Sequence, residues 1–188
     1  KAGVEISEKT GAIKVNEYME TNLKDVYAIG DCASSFNAVT GEEESSMLAT
    51  TAFRQARVAA YSILGRKIRY PGHLGTSGLK AFELYAGTTG LINAIAKNKG
   101  IDSIAVTLSL PSNPHYYPDA VDIRFKFIVD KNNGRIIGAQ ALSRKNIADL
   151  VTAASFLIMN KMSVLDVTVM DWCYTPPLSY DWNVIVEA

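Results

Sequence analysis

Cysteine is scarce in this chain: Cys32 and Cys173 are its only two among 188 residues. They lie far apart and form no CxxC pair, so neither a disulfide framework nor a dithiol motif is expected. Histidine is equally rare, with His73 and His115 alone. Without a cysteine cluster beside them, no metal site is expected. An excess of one charge is also missing, since 19 Lys and Arg balance 19 Asp and Glu. That argues against nucleic acid or an anionic membrane as the partner. No apolar run reaches the roughly 18–20 residues of a membrane span. No basic-plus-apolar leader opens the chain, so a reducing cytoplasm is the expected location. A starting methionine is absent too, and Lys1-Ala2-Gly3 reads as mid-protein, a fragment or a processed chain. What is present is an ordinary globular mix, 48% apolar and 20% charged, with room for one or two domains.

The pattern changes part-way along. Val4-Glu5-Ile6 and Gly11 to Val15 predict short strands around the turn Glu8-Lys9-Thr10-Gly11. Val26-Tyr27-Ala28-Ile29 predicts a buried strand opening into Gly30-Asp31. Residues 37–44 predict a polar loop, with Glu42-Glu43-Glu44 a solvated acidic run. A helix is expected from about Ser46 to Leu64, its stripe being Leu48, Ala52, Ala56, Ala59 and Ile63. Arg69-Tyr70-Pro71-Gly72 marks a boundary, giving domains 1–70 and 71–188.

Beyond it, strands are expected at Ser77–Leu84, Tyr85–Thr89 and Ser103–Leu110, with a helix over Leu91–Asn98. Val121–Val129 and Arg135–Leu142 predict a hairpin joined by Asp130-Lys131-Asn132-Asn133-Gly134. Asn146, with Asp149 three later, starts a helix with Ile147, Leu150, Val151, Ala154, Leu157 and Ile158 on one face. Ser163 and Asp166 cap a second, short one. The expected fold class is α+β, an antiparallel sheet with helices on one face, preceded by a remnant of an α/β domain.

The most informative stretch is Thr21-Asn22-Leu23-Lys24-Asp25-Val26-Tyr27-Ala28-Ile29-Gly30-Asp31. It is similar to the second FAD fingerprint of the two-dinucleotide-domain flavoproteins. The resemblance implies that Gly30 lets the backbone pass close to the flavin's sugar chain. It implies that Asp31 accepts hydrogen bonds from ribityl hydroxyls. The following helix would point its N-terminus at the flavin, with Leu48 and Ala49 where that family places its backbone donors. Gln55-Ala56-Arg57 also fits, with Ala56 in place of the family's usual Gly.

Gly75-Thr76-Ser77-Gly78-Leu79-Lys80 and Gly87-Thr88-Thr89-Gly90-Leu91 resemble the opening of a dimerisation domain. The domain is that of the coenzyme A-disulfide reductases and NADH oxidases, within the pyridine nucleotide-disulfide oxidoreductases. Tyr116-Tyr117-Pro118 and Tyr174-Thr175-Pro176-Pro177 resemble that branch's two tyrosine segments. There the tyrosines reach across a homodimer to the partner's active-site thiol, which implies catalytic support from Tyr116, Tyr117 and Tyr174. The motif's spacing favours Tyr116 over Tyr117. A plain interface role suits the same residues, because tyrosine buries a ring and keeps a polar tip. The glutathione-reductase branch carries a His followed five residues later by Glu near its C-terminus, and no histidine follows His115 here.

The first GxGxxG, the redox cysteine and the nicotinamide site are not in this sequence. The resemblance therefore implies part of an FAD-dependent NADH or NADPH oxidoreductase, inactive alone, with coenzyme A disulfide, polysulfide or oxygen as acceptor. A free-standing dimeric binding module, with no redox role, is the competing expectation. Cys173 is expected to be a buried, inert thiol, and Cys32 to pack under the flavin site. The ring-rich segment Trp172–Trp182 is expected to be too large for so small a domain to cover.

Overall fold

The computed structural model describes residues 2–188, which fall into two compact units, Lys1–Gly75 and Thr76–Ala188.

The N-terminal unit has little regular structure. The expected strands in residues 4–15 reduce to isolated bridges, Ile6 with Ile13 and Ile13 with Ala33. The turn between them holds, because Ser7 Oγ accepts the Lys9 and Thr10 amides and the Gly11 amide bonds the Ser7 carbonyl. Val26–Ile29 is not a buried strand either. One bridge pairs Tyr27 with Glu20, and Val26 is exposed. A strand needs a neighbour to satisfy its amides, and no further ladder forms beside this one among the described residues. Residues 37–44 are not all loop: β1 (Ser35–Phe36) pairs antiparallel with β2 (Glu43–Glu44).

Helix α1 (Ala49–Ile63) begins three residues later than the sequence suggests. Its buried side is Thr51, Gln55, Val58, Ala59 and Ser62, so of the predicted stripe only Ala59 is buried, and Ile63 faces solvent. Alanines on several faces blur the apolar period, and polar Thr51, Gln55 and Ser62 share the inner one with Val58 and Ala59. Met19, Val58, Ala59 and Tyr70 form the core, with Phe36 meeting the Tyr70 ring edge-on at 6.0 Å.

The C-terminal unit closes a complete sheet. Strands β3 (Ser77–Ala81), β4 (Leu84–Gly90), β5 (Ser103–Pro111), β6 (Asp122–Asp130) and β7 (Ile136–Ser143) run in the order β3-β4-β7-β6-β5, all antiparallel. Phe125 and Phe127 alternate inward with Arg124 and Lys126 outward, as period-two patterning requires. The two phenyl rings meet edge to face at 4.9 Å. A short helix α2 (Asn93–Asn98) follows β4. Helix α3 (Ala148–Met159) lies on β4 and β7 and buries Val151, Ala154, Leu157 and Ile158. Its N-cap is Ile147 rather than Asn146, whose side chain instead takes the Ala148 amide at 3.0 Å. Ser163 and Asp166 form the expected capping box on α4 (Val164–Val167). A last turn, α5 (Val184–Glu187), rests against β5 and β6.

Candidate functional site

The Gly-Asp corner of the N-terminal unit is built from three parts. Gly30 sits at φ +69°, a left-handed conformation that costs an L side chain strain but glycine almost nothing. Its amide donates to Gln55 Oε1 at 2.7 Å, and Gln55 is wholly buried on α1. Asp31 then opens a 3-10 turn, Gly30–Cys32, with its side chain exposed. This turn lies against α1. At the start of α1, Leu48 is the N-cap, with no side chain capping the helix. The first amides of a helix have no intrahelical acceptor. Thr51 N–H returns to the Leu48 carbonyl, while Ala49 begins the helix exposed. The corner thus offers one free carboxylate and an uncapped helix N-terminus, a set suited to hydroxyl donors and to developing negative charge.

Cys32 does not pack beneath this corner; it is exposed, its thiol donating to the Ile29 carbonyl at 3.3 Å. The 3-10 turn points it outward. Glu44 is no simple solvated residue: it accepts from Asn37 Nδ2 at 3.1 Å and lies 3.5 Å from His73 Nε2. His73 is buried, and desolvation pushes its pKa below the usual imidazole value, opposed by the Glu44 carboxylate.

The tyrosines of the C-terminal unit come from two loops. Tyr116 and Tyr117 follow Pro114, with rings 5.2 Å apart, and Tyr116 is largely exposed. Tyr174 precedes Pro176-Pro177 and is half exposed. Its phenol is held above its ordinary pKa by desolvation, then by the Asp181 carboxylate and by the Tyr116 and Tyr117 phenols. The three tyrosines therefore share one electrostatic neighbourhood, although more than fifty residues separate the loops in sequence. Cys173 is exposed rather than buried, because its segment has no regular structure to cover it. Leu178 and Trp182 are exposed beside it. His115 lies in the loop, its ring edge-on to Tyr180 at 6.4 Å. Asn113 and Lys145, which join the two loops, were not distinguishable in the sequence, since neither stands in a recognisable pattern. Gln55 was legible as a motif residue but not as the acceptor for Gly30.

Among the described residues no group of three or more His, Cys, Asp or Glu is placed to hold a metal ion. No helix among them is long and apolar enough to cross a membrane.

Comparison with known proteins gives this arrangement its context. A family model described as the dimerisation domain of pyridine nucleotide-disulphide oxidoreductases matches residues 76–184. The chain belongs to this family. A second model, described as pyridine nucleotide-disulphide oxidoreductase, matches residues 1–56. A CoA-dependent NAD(P)H sulfur oxidoreductase of Pyrococcus abyssi is 35% identical over 184 residues, 98% of this chain and 41% of its own length. An NADH oxidase of Methanocaldococcus jannaschii is 31% identical over 185 residues, 95% of this chain and 41% of its own length. The structure of an NAD-dependent persulfide reductase from A. fulgidus superposes with a TM-score of 0.95 at 35% identity. That match covers 99% of this chain and 34% of the reductase. The chain therefore spans about 41% of the curated relatives it matches. The five-stranded sheet falls within the residues that the dimerisation-domain model matches, and the Gly-Asp corner within those that the second model matches.

Proposed function

We propose that this chain is the C-terminal part of an FAD-dependent NAD(P)H oxidoreductase of the NADH oxidase or coenzyme A-disulfide and polysulfide reductase type. On this reading, residues 1–70 close the FAD-binding domain and residues 71–188 form the homodimer interface. Bound FAD would take hydride from NADH or NADPH and pass two electrons to a sulfur or oxygen acceptor. The residues of this chain bind, orient and support that chemistry. Asp31 would accept hydrogen bonds from the ribityl hydroxyls, Gly30 would let the backbone pass close to that chain, and the amides at Leu48 and Ala49 would donate toward the electron-rich end of the ring. Tyr116, Tyr117 and Tyr174 serve the partner subunit's centre, where a phenol stabilises or protonates a leaving thiolate. Two unpaired, exposed thiols suit a reducing cytoplasm.

One observation carries the proposal: left-handed Gly30 donates its amide to Gln55 on α1, and the exposed Asp31 follows in a turn packed on that helix, whose start is uncapped. Asp31→Ala in the flavin-loaded full-length protein tests it. Loss of charge-assisted hydrogen bonds is expected to weaken FAD binding by about 1.5–3 kcal/mol, read as the dissociation constant for FAD. Wild-type affinity would remove Asp31 from the flavin site.

A further inference from the structure

Two tyrosine loops that work together must be held at a fixed separation, and the side chain that spans them is Asn113. It is 1% exposed, and both ends of its side-chain amide are engaged. Its Oδ1 accepts from Lys145 Nζ at 2.6 Å and from Ser112 Oγ at 2.9 Å. Its Nδ2 donates to the Pro176 carbonyl at 3.1 Å, 63 residues away in sequence. The amide cannot be reversed, because an ammonium only donates and a peptide carbonyl only accepts.

Each partner of Asn113 is tied to a tyrosine. Pro176 stands two residues after Tyr174, in a turn closed by the Leu178 and Ser179 amides on the Thr175 carbonyl. Asn113 stands three residues before Tyr116, and Tyr117 N–H closes a turn on the Pro114 carbonyl. Lys145 grips the far end of that same loop through Asp119 Oδ2 at 3.1 Å. Its own backbone is fixed to the end of β7, where its amide donates to Ser143 Oγ at 3.1 Å. Ser112 closes the base of the loop, its amide on the Val121 carbonyl and its Oγ accepting the Val121 amide. The chain Asp119–Lys145–Asn113–Pro176 therefore runs from one tyrosine loop to the other and is anchored on the sheet. An apolar contact would join the loops without fixing their register, whereas directional hydrogen bonds fix it.

We infer that Asn113, with Lys145, is a positioning residue that sets the separation of Tyr116 and Tyr174 for acceptor turnover. This rests on the tyrosine roles proposed above. Asn113 touches no reacting atom, and it acts through the two phenols.

Asn113→Asp is the informative variant. It keeps the volume and the bond to Lys145 but turns an acceptor toward the Pro176 carbonyl. The measurements use the flavin-loaded full-length protein and whichever of coenzyme A disulfide, polysulfide or oxygen the wild type turns over. The variant is expected to lower kcat roughly tenfold to a hundredfold, the scale of a misplaced catalytic group. The KM and the rate of flavin reduction by NADH should stay near wild type. With a fluorotyrosine at position 174, the fluorine NMR resonance should move. In a Tyr174→Phe background, Asn113→Asp should cost nothing further, because residues acting as one unit are not additive. Should Asn113→Asp not fold, Lys145→Met at the partly exposed end of the tie carries the same expectation, with rescue by Lys145→Arg. An unmoved resonance, or a loss that adds in full to that of Tyr174→Phe, overturns the inference. If the resonance moves but Tyr174→Phe alone turns over normally, the tyrosine chemistry fails and the positioning role falls with it.

Discussion

The two units of this chain answer the same problem, the satisfaction of backbone amides, in opposite ways. The C-terminal unit pairs five strands with one another in a continuous ladder and covers β4 and β7 with its own helix α3. The N-terminal unit carries the sequence of a buried strand, Val26 to Ile29, yet makes a single bridge there and leaves Val26 exposed. It is held instead by turns, by a side-chain acceptor on α1 and by a small core around Tyr70. A unit that completes its own ladder can be autonomous. A unit whose strand lacks neighbours presents a surface suited to being completed, in keeping with the partial flavin site proposed above.

The largest expected effect attacks the self-sufficient unit at its tightest point. Gly138 in β7 lies so close to the Leu91 backbone that an added Cβ would overlap the Leu91 carbonyl oxygen and carbon. Leu91 N–H bonds the Ile137 carbonyl at 2.8 Å, so the two backbones cannot separate freely. Gly138→Ala is expected to destabilise the unit by about 3 kcal/mol or more, at the upper end for overpacking. Both tryptophans, Trp172 and Trp182, lie in this unit, so a urea titration followed by tryptophan fluorescence reports on it. An unchanged midpoint would mean that β7 and residue 91 are not in this register.

A smaller effect distinguishes the N-terminal unit. His73 is buried, and desolvation lowers its pKa. The unfolded chain then binds more protons than the folded one on the acid side of the usual imidazole value, about 6.5. Its contribution is complete above that pH and is lost as the pH falls below it, with Glu44 softening the loss. Hydrogen exchange at the Ala38 amide, which bonds the His73 carbonyl at 2.9 Å, should report this acid sensitivity. Between about pH 7.5 and 5.5, corrected for intrinsic exchange, protection should fall in the wild type and stay flat in His73→Gln. Parallel loss in both proteins would assign the sensitivity elsewhere.

The same contrast explains what could be read from the sequence. The C-terminal unit was legible in detail: the hairpin over β6 and β7, the strand β5 and the Ser163–Asp166 capping box all follow from local patterning and turn residues. Local rules suffice where strand partners are near in sequence. The N-terminal unit was legible as a motif but not as structure. The pattern around Gly30-Asp31 carries the chemistry of a strand, while the chain builds a 3-10 turn and one bridge. The inner face of α1 was misassigned because alanine is as common outside as in, and Thr51 and Gln55 fill the core positions. The tyrosines stood out by type and by proline neighbours. Asn113 did not, because its value comes from Lys145 and Pro176, which only the fold brings to it.

The most direct test of the account is light scattering on the purified 188-residue chain, with flavin absorbance recorded on the same peak. The account predicts a colourless homodimer at tens of micromolar, of twice the chain's 20.4 kDa, with FAD bound weakly or not at all. Self-pairing would come from the C-terminal unit, and the absent flavin would reflect a corner that supplies only part of its site. A monomer would contradict the dimerisation role, and a yellow peak with stoichiometric FAD would contradict the partial flavin site.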